Sequence, residues 1–308
     1  MEKSGNIFVA GHETMAGAAI LRRSQAAGYV NLTPGNSAEL DLTDQKMVLD
    51  FFMTKKPDYV FITSAKIGGI LANSRFPAEF IYENIQSQTN VIHASWKSGV
   101  KKLLFLASSC IYPKECPQPM KEEYLLTGKL EPTSEPYAIA KIAGVRMCQS
   151  YSRQYGVNFI SAVPADLYGP MDDFNPETGH VLASLIAKMH RAKTNQTEMV
   201  VWGTGSPRRE CLHVDDLADA AFFLMDKYDN PEMINIGSGK DLSIKEMAGL
   251  IRDIAGFKGD IIFDTSKPEC MPRKPLDASK IRGLGWEPRN SIEEGIRQTY
   301  EWYVSHIK

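Results

Sequence analysis

The sequence predicts an α/β fold built on a doubly wound parallel sheet, with a smaller α/β lobe at its C-terminal end. Short apolar runs alternate with helical patterns over the first half of the chain, as is typical of a parallel sheet with right-handed crossovers. A glycine-containing turn, Gly11 to Gly17, follows the first apolar run, and a polar loop interrupts the alternation after Gly169. We therefore expect a dinucleotide-binding domain over residues 1–164 and a substrate-binding lobe over 165–308, interleaved with late elements of the main sheet.

Composition argues against several classes of protein. The chain has 308 residues, 43% of them hydrophobic and 23% charged, with a net charge of −2. No basic excess points to nucleic acid or an anionic membrane, and no apolar run is long enough to span a bilayer. The first residues lack the apolar core of a signal peptide. The five cysteines have no metal spacing, so reduced thiols in the cytoplasm are expected rather than a disulfide framework: Cys110, Cys116, Cys148, Cys211 and Cys270.

The first unit has the pattern of a nucleotide-binding turn. Asn6–Ala10 predicts a short strand, and the glycines after it would let the backbone approach a pyrophosphate at the start of the next helix. A turn of the glycine-x-x-glycine-x-x-glycine type would have glycine at position 14, where this chain has Thr14. The same residues are also compatible with an ordinary strand-to-helix turn.

The second unit begins with a weak strand, Val30–Leu32. Its tip contains no arginine or lysine to accept the 2′-phosphate of NADP; Glu39 and Asp41 are present, but they more plausibly start the next element. The segment Asp41–Asp44 then predicts the N-cap region of a helix with the sequence QKMVLDFFMTKK.

The third unit begins with a buried strand, Tyr59–Thr63, followed by a loop over residues 64–74. Gly68 and Gly69 in that loop indicate either close approach of the backbone to a ligand or simple flexibility. A long amphipathic helix is predicted for Pro77–Gly99.

Reactive side chains are concentrated between Leu103 and Lys141. Leu103–Ala107 predicts a buried strand whose tip opens into small hydroxyl residues and a cysteine. The next helical pattern places Tyr137 and Lys141 four residues apart, on one face. Ser108 at a strand tip, joined to a Tyr-x-x-x-Lys helix, is a proton-transfer set for carbonyl chemistry. The alternative is a solvated helix face, because this spacing is common by chance.

The remaining elements are predicted more coarsely. A strand (Asn158–Val163) follows the Tyr137–Tyr155 helix, and a helix starts after His180. Two further strand–helix pairs and an irregular tail over residues 261–286 complete the expected lobe.

Four segments, SSCIYP, EPYAIAKIAG, LYGP and RRECLHVDDLA, resemble the extended short-chain dehydrogenase/reductase family, and the likeness runs from about Asn6 to Tyr303. Within that family the chain is similar to 3,5-epimerase/4-reductases acting on GDP-4-keto-6-deoxy-D-mannose, on the strength of Cys110 and His180. The resemblance implies a Rossmann-type sheet, NADP(H), a GDP-sugar substrate and a homodimer formed through the two long helices.

The chemistry of a 4-keto sugar explains what such an enzyme needs. Its protons at C3 and C5 are acidic because their loss gives an enolate, so an epimerase requires two groups of moderate pKa on opposite faces of the ring. The resemblance makes Cys110 the base and His180 the acid; by residue type alone, a single cysteine is usually a core residue and a single histidine a surface residue.

The resemblance also implies the roles of the reductive residues. Tyr137 and Ser108 would hydrogen-bond O4, and Tyr137 would donate the proton when hydride reaches C4. Lys141 would favour the phenolate and hold the nicotinamide ribose.

The same resemblance supplies the binding residues, and no metal is expected. Arg209, beside Arg208, suits a bidentate phosphate contact, although a solvated basic pair and a core position for Trp202 are the alternatives. The cofactor set is Gly11, Thr14, Met15, Gly17, Leu106, Ser108, Lys141, Pro164, Asp166, Leu167 and His180, and the sugar-nucleotide set is Lys188, Trp202, Arg209 and Asp277.

The chain departs from the family pattern at the cofactor turn and beside the substrate. Glu13 stands where arginine is usual, and the second-strand tip lacks another arginine, which leaves NAD(H) possible; Arg22 and Arg23 lie too far along the helix to replace them. Ala165 and Asp166 replace Thr-Asn, so another GDP-4-keto sugar, such as a 6-deoxy-heptose, is an alternative substrate. A non-catalytic dinucleotide-binding regulator is the alternative of another class.

Overall fold

The expected alternation of strands and helices is present in the structure, a computed structural model that describes residues 1–34, 40–63, 66–266 and 272–306. The strands are β1 (Ile7–Ala10), β2 (Leu32–Pro34), β3 (Tyr59–Ile62), β4 (Lys102–Leu106), β5 (Phe159–Pro164), β6 (Asp166–Tyr168), β7 (Met199–Trp202), β8 (Arg208–His213), β9 (Ile234–Ile236), β10 (Asp241–Ser243) and β11 (Ile261–Asp264). The helices are α1 (Met15–Ala26), α2 (Gln45–Lys55), α3 (Ile70–Arg75), α4 (Pro77–Ser98), α5 (Glu135–Tyr155), α6 (Val181–Asn195), α7 (Val214–Lys227), α8 (Ile244–Ala255), α9 (Ser279–Gly283) and α10 (Ile292–His306).

Six parallel strands form the main sheet, in the order β2-β1-β3-β4-β5-β9. Strands β1, β3, β4 and β5 are buried along their whole length, which explains their continuous apolar runs. The strand order reverses beside β1, and ligands of such sheets bind at the carboxyl ends of the strands near that reversal. The predicted fold class is confirmed.

Helix α5 lies unusually close to β4. A Cβ atom at Gly144 would be 2.4 Å from Cζ of Phe105, so only glycine allows this approach. The side chain of Gln88 on α4 donates a hydrogen bond to the backbone O of Ala140, which ties the two long helices together. These contacts set the position of the Tyr-x-x-x-Lys turn above the sheet.

The C-terminal lobe has its own core and its own small sheets. Strands β10, β8 and β6 form one sheet and β11 and β7 another, and helices α6, α8 and α10 cover them. A single residue, Ala165, separates the end of β5 from the start of β6, so the lobe is joined to the main sheet directly at its carboxyl edge. The later strand β9 returns to the main sheet beside β5.

Several predicted elements differ from the observed ones. The second strand is Leu32–Pro34 rather than Val30–Leu32, because Val30 is 81% exposed and lies before the pairing with β1. The segment 64–74, predicted as a loop, contains most of α3. The tail 261–286, predicted as irregular, contains β11 and α9, and β11 is held by its pairing with β7 more than 55 residues away.

The structure also bears on the remaining class predictions. In the described part of the chain, Cys110, Cys116, Cys148 and Cys211 are free thiols, whereas Cys270 and Glu39 lie outside it. Among the described residues no cluster of histidine, cysteine and carboxylate side chains could hold a metal ion. None of the described helices has the length and apolar character needed to cross a bilayer.

Candidate active site

The tip of β4 presents the first reactive group. Ser108 follows the strand in extended conformation and caps the 3₁₀ turn Ser109–Ile111, with its hydroxyl accepting from the backbone N of Cys110 at 3.4 Å. This cap fixes the hydroxyl and the thiol on the same tip. The sequence prediction that Ser108 and Cys110 share one site is therefore met by the geometry.

Lys141 is buried beneath this tip and is only 2% exposed. Its Nζ donates to the backbone O of Leu106 at 3.0 Å and lies 4.9 Å from the ring centroid of Phe105 and 5.8 Å from that of Tyr137. Burial lowers the pKa of Lys141 to about 8, although the nearby Cys110 thiolate would raise it. The predicted cofactor-binding residue Leu106 thus serves as the anchor of the lysine.

The pKa of the Tyr137 phenol is raised above its ordinary value. Burial is the main cause that raises the pKa of its phenol, the charge of Cys110 raises it further, and a hydrogen bond with Ser108 lowers it. Burial thus favours the neutral phenol, and the effect of Lys141 on the phenolate stays a prediction. A neutral phenol is the form that can donate a proton to O4.

The groups around the Cys110 thiol shift its pKa in opposite directions. Burial raises its pKa most strongly, and the Asp166 carboxylate adds to this. Lys274, the Ser108 hydroxyl and Lys141 lower it. The thiol is thus close to two cations that would stabilise a thiolate.

His180 enters the site from the lobe, at the N-cap of α6. Its side chain is 42% exposed, and its Nδ1 lies 3.7 Å from Oδ1 of Asp172. Burial lowers the pKa of His180, but the carboxylates of Asp172 and Asp166 outweigh burial and the charge of Lys274, so the pKa is raised. The surrounding carboxylates therefore stabilise the charged, proton-donating form of the imidazole relative to its neutral form.

Asp166 on β6 links the two lobes electrostatically. Its Oδ1 accepts from Nζ of Lys274 at 3.2 Å and from Oγ of Ser109 at 3.5 Å, while Arg209 Nε lies 3.9 Å from Oδ2. Burial raises the pKa of Asp166, but Lys274, Arg209 and His180 together hold it below its ordinary value. Lys274 was not among the predicted site residues; its position three residues before the predicted Asp277 is the sequence signal that could have found it.

Two predicted sugar-nucleotide residues lie together. Nζ of Lys188 on α6 is 4.5 Å from the ring centroid of Trp202 on β7, a cation–π arrangement. Burial lowers the pKa of Lys188, and Glu177 opposes the shift. The flat indole ring of Trp202 is suited to a nucleotide base, and the ammonium group of Lys188 is suited to a diphosphate.

The two neighbouring arginines on β8 are not an exposed basic pair. Arg209 is buried and donates to the backbone O of Arg208 at 2.7 Å. Arg208 instead binds Asp241 at 2.9 Å and Glu246 at 3.1 Å. Arg209 thus points toward Asp166, and Arg208 holds the lobe together.

Asp277 is placed at the entrance of α9. Its carboxylate accepts from the backbone N of Ser279 at 2.9 Å, and its backbone N donates to the O of Met120 at 2.8 Å. These contacts fix the segment that carries Lys274. Contact of Asp277 with a sugar nucleotide stays a prediction.

The turn between β1 and α1 fits a dinucleotide diphosphate. A Cβ atom at Gly17 would lie 2.0 Å from the backbone O of Gly11, so the turn requires glycine there. Thr14, in place of a glycine, caps α1 by accepting from the N of Gly17 at 3.1 Å. The helix N-terminus after it, with Met15 buried, is a site for anions.

No cation of the first helix is available for a 2′-phosphate. Arg22 binds Asp215 at 2.7 Å and Arg23 binds Asp219 at 3.3 Å, both on α7. Both arginine side chains of α1 are thus paired with carboxylates of α7. The tip of the second strand, residues 35–39, lies outside the described part of the chain.

The glycine pair before α3 meets protein rather than solvent. The backbone N of Gly69 donates to the O of Thr178 at 2.7 Å, so the loop after β3 touches the loop that leads to His180. The remaining predicted cofactor residues, Pro164 and Leu167, lie at the end of β5 and in β6, on either side of Ala165.

Known proteins resemble the chain over its whole length. It matches the NAD dependent epimerase/dehydratase family over residues 7–237. GDP-L-fucose synthase 1 of Arabidopsis thaliana is 54% identical over 307 residues, which cover 99% of this chain and 95% of that protein. A GDP-6-OMe-4-keto-L-xylo-heptose reductase from C. jejuni has a TM-score of 0.94 and 38% identity, covering 100% and 99% of the two chains. A GDP-mannoheptose C4 reductase from Campylobacter jejuni, solved with NADP bound, has a TM-score of 0.90 and 41% identity, with 99% of each chain covered.

Proposed function

Because the chain belongs to the NAD dependent epimerase/dehydratase family, we propose that it is a GDP-L-fucose synthase, an NADP(H)-dependent 3,5-epimerase/4-reductase that converts GDP-4-keto-6-deoxy-D-mannose to GDP-L-fucose. The observation that carries this proposal is the surroundings of the Cys110 thiol. It interacts with the proton-donating set, Ser108 and Tyr137, and the same two charged groups, Asp166 and Lys274, act on it and on the His180 imidazole of the other lobe. A reductase that does not epimerise its substrate needs neither the thiol of Cys110 nor the imidazole of His180.

Epimerisation uses Cys110 and His180. The Cys110 thiolate removes a proton from the sugar carbon, and the electron pair of the C–H bond moves to O4 as an enolate. Tyr137 and Ser108 hold that oxygen by hydrogen bonds. His180 then gives a proton to the opposite face of the carbon, and the enolate collapses to the ketone.

Reduction uses the same oxygen contacts. NADPH, when bound, supplies the hydride to C4. Tyr137 transfers its phenolic proton to O4 as the alkoxide forms, and the Lys141 ammonium, one helical turn away, stabilises the phenolate left behind. Lys141 and the turn between Gly11 and Gly17 would hold the cofactor.

The sugar nucleotide would lie between the lobes. Lys188 and Trp202 would contact the nucleotide, and Arg209 its diphosphate, with Asp277 at the edge. We place the reaction in the cytoplasm, in line with the free thiols of the described chain. In this proposal, residues 1–164 form the domain that binds the cofactor and residues 165–308 form the lobe that binds the substrate.

A reductase acting on another GDP-4-keto sugar is the second candidate. It is favoured by the two heptose reductases with TM-scores of 0.94 and 0.90 and by Asp166, whose pairing with Lys274 alters the charge beside the sugar. The presence of Cys110 and His180 argues against reduction alone.

The direct test incubates the protein with GDP-4-keto-6-deoxy-mannose in D₂O, with NADPH and NADH in parallel. We expect faster oxidation of NADPH and GDP-L-fucose carrying deuterium at C3 and C5. Tyr137→Phe should lower hydride transfer by about 10²- to 10⁴-fold, the usual contribution of a general acid. Reduction without deuterium at either carbon would favour the second candidate instead.

We also propose a homodimer formed through α4 and α5. These adjacent helices, of 22 and 21 residues, leave Tyr82, Ile139 and Tyr155 exposed, and Trp96 stacks on Tyr155 at 4.2 Å between ring centroids. Apolar side chains along two neighbouring helices suit a four-helix contact with a second copy.

A further inference from the structure

A buried carboxylate faces the proposed acid. Asp172 lies eight residues before His180 in the same loop, its side chain is only 3% exposed, and its Oδ1 is 3.7 Å from Nδ1 of His180. Among the described residues, neither Oδ2 of Asp172 nor Nδ1 of His180 has a hydrogen-bond partner. A buried carboxylate oxygen without a partner is unfavourable, so a facing cation is the group that would stabilise it.

Hydrogen bonds within the loop fix the position of Asp172. The backbone N of Asp172 donates to the O of Gly169 at 3.3 Å, and its Oδ1 accepts from the N of Asp173 at 2.8 Å. Met171, just before it, adopts a left-handed φ of 69°, a conformation that side-chain-bearing residues keep only when the surroundings impose it. The direction of the Asp172 carboxylate is therefore set before any substrate binds.

Both lobes also clamp the loop. The ring of Phe174 packs against Tyr303 of α10 at 4.6 Å and against Trp302 at 5.9 Å. On the other side, Gly69 donates to the O of Thr178 at 2.7 Å. A loop fixed at three points can hold an Asp–His pair in one geometry.

The charges that face the imidazole are few. Besides Asp172 on its own loop, His180 feels Asp166 from β6 and Lys274 from the C-terminal segment, the first favouring and the second opposing its protonated form. Asp166 is already engaged by Lys274 at 3.2 Å. Within the described ranges of the chain no lysine or arginine is paired with Asp172, so its effect on His180 should be the largest.

Resting on the proposed function, we propose that Asp172 is a positioning residue for His180, whose carboxylate faces Nδ1, leaves Nε2 for the substrate and keeps the imidazole charged between turnovers. During epimerisation the Nε2–H bond breaks, its electron pair stays on nitrogen, and the proton forms the new C–H bond. The neutral imidazole then regains a proton from solvent. Catalytic hydrogen bonds of empty sites are often long and shorten when substrate binds, which is the expected change at the 3.7 Å contact.

The test is an NMR titration of the imidazoles in protein labelled at histidine, with His180→Asn identifying the signal. We expect Asp172→Asn to shift the titration of His180 down by about one pH unit or more, as removal of a close opposite charge does. Asp172→Glu should retain most of the wild-type value. Asp173→Asn, the same chemical change one residue away on an exposed side chain, should leave it unaltered.

Activity supplies a second measurement. The alkaline limb of solvent-deuterium incorporation should move to lower pH in Asp172→Asn by the same amount as the titration. A titration of His180 that is equal in wild type, Asp172→Asn and Asp173→Asn would overturn the proposal. If Asp172→Asn does not accumulate as folded protein, Asp172→Ser takes its place with the same expected shift.

The two proposals fail separately. The NMR titration needs no substrate, so it decides the role of Asp172 even if GDP-4-keto-6-deoxy-mannose is not converted. Conversely, conversion of that sugar with an unshifted His180 titration would retain the proposed function and reject the positioning role.

Discussion

At the scale of single residues, Cys110 separates epimerisation from reduction. Its thiol shares a strand tip with Ser108 but faces Lys274 and Asp166 from the other lobe. Epimerisation and reduction therefore use neighbouring side chains of different acidity. A substitution can remove one of these two activities without removing the other.

We predict that Cys110→Ser keeps measurable reduction of the keto sugar but lowers deuterium entry at C3 and C5 by at least about 10²-fold. A serine hydroxyl loses its proton much less readily than a thiol, so the variant lacks the base that removes the proton from carbon. Proton NMR of the sugar in D₂O measures this. Cys116→Ser, a buried thiol away from the site, is the matched control. Unchanged deuterium entry would remove Cys110 from its assigned role.

Lys141 illustrates a conflict between stability and function. Its ammonium is fully enclosed, and burial brings its pKa from 10.5 to about 8. The folded protein therefore binds this proton less tightly than the unfolded chain does, so the charge destabilises the fold below about pH 8 and this cost disappears as pH rises through 10.5.

We predict that Lys141→Met abolishes turnover yet raises the free energy of unfolding at pH 7, by on the order of 3 kcal/mol at most, the energy that corresponds to the displaced pKa. The lost hydrogen bond to Leu106 reduces this gain. Urea unfolding of both proteins between pH 7 and 10.5 measures it, and the gap should close as pH rises. A gap that stays constant would mean that the buried charge is not its cause.

At the scale of elements, the approach of α5 to β4 decides where the reactive turn lies. Gly144 makes the approach possible because any larger residue would collide with Phe105. Since Tyr137 and Lys141 lie one to two turns before it, a displaced helix also displaces both side chains.

We predict that Gly144→Ala lowers the free energy of unfolding by about 1–3 kcal/mol through overpacking and lowers turnover as well. Gly249→Ala in α8 is the control, since a Cβ atom there meets nothing within 4 Å. That change should stabilise the protein by up to about 1 kcal/mol, because alanine favours helix over glycine. Equal effects of the two substitutions would contradict the role given to the helix–strand contact.

At the scale of the whole molecule, the proposed dimer would form through the paired helices α4 and α5. We predict that Ile139→Arg, a charge placed at a 41% exposed position of that face, converts a dimer to a monomer in sedimentation experiments. Val200→Arg, at a similarly exposed position on β7, should leave the dimer intact. A wild-type monomer, or dissociation by both variants, would argue against this interface.

The sequence by itself determined the fold class, and it predicted the nucleotide-binding turn and the pairing of Ser108 with Tyr137 and Lys141. These features are local: strand burial appears as continuous apolar runs, and residues four apart on a helix share a face whatever surrounds it. The elements predicted well, such as β3, β4 and α4, are those whose own residues carry the pattern.

Only the tertiary structure decided the charge environment of the site. Lys274 reaches Asp166 across 108 positions of chain, and β11 forms because it meets β7. The raised pKa of Tyr137 follows from burial that no local pattern encodes. Contacts between distant segments depend on how the lobes pack, and desolvation depends on everything around a group, so neither can be computed from the spacing of residues along the chain.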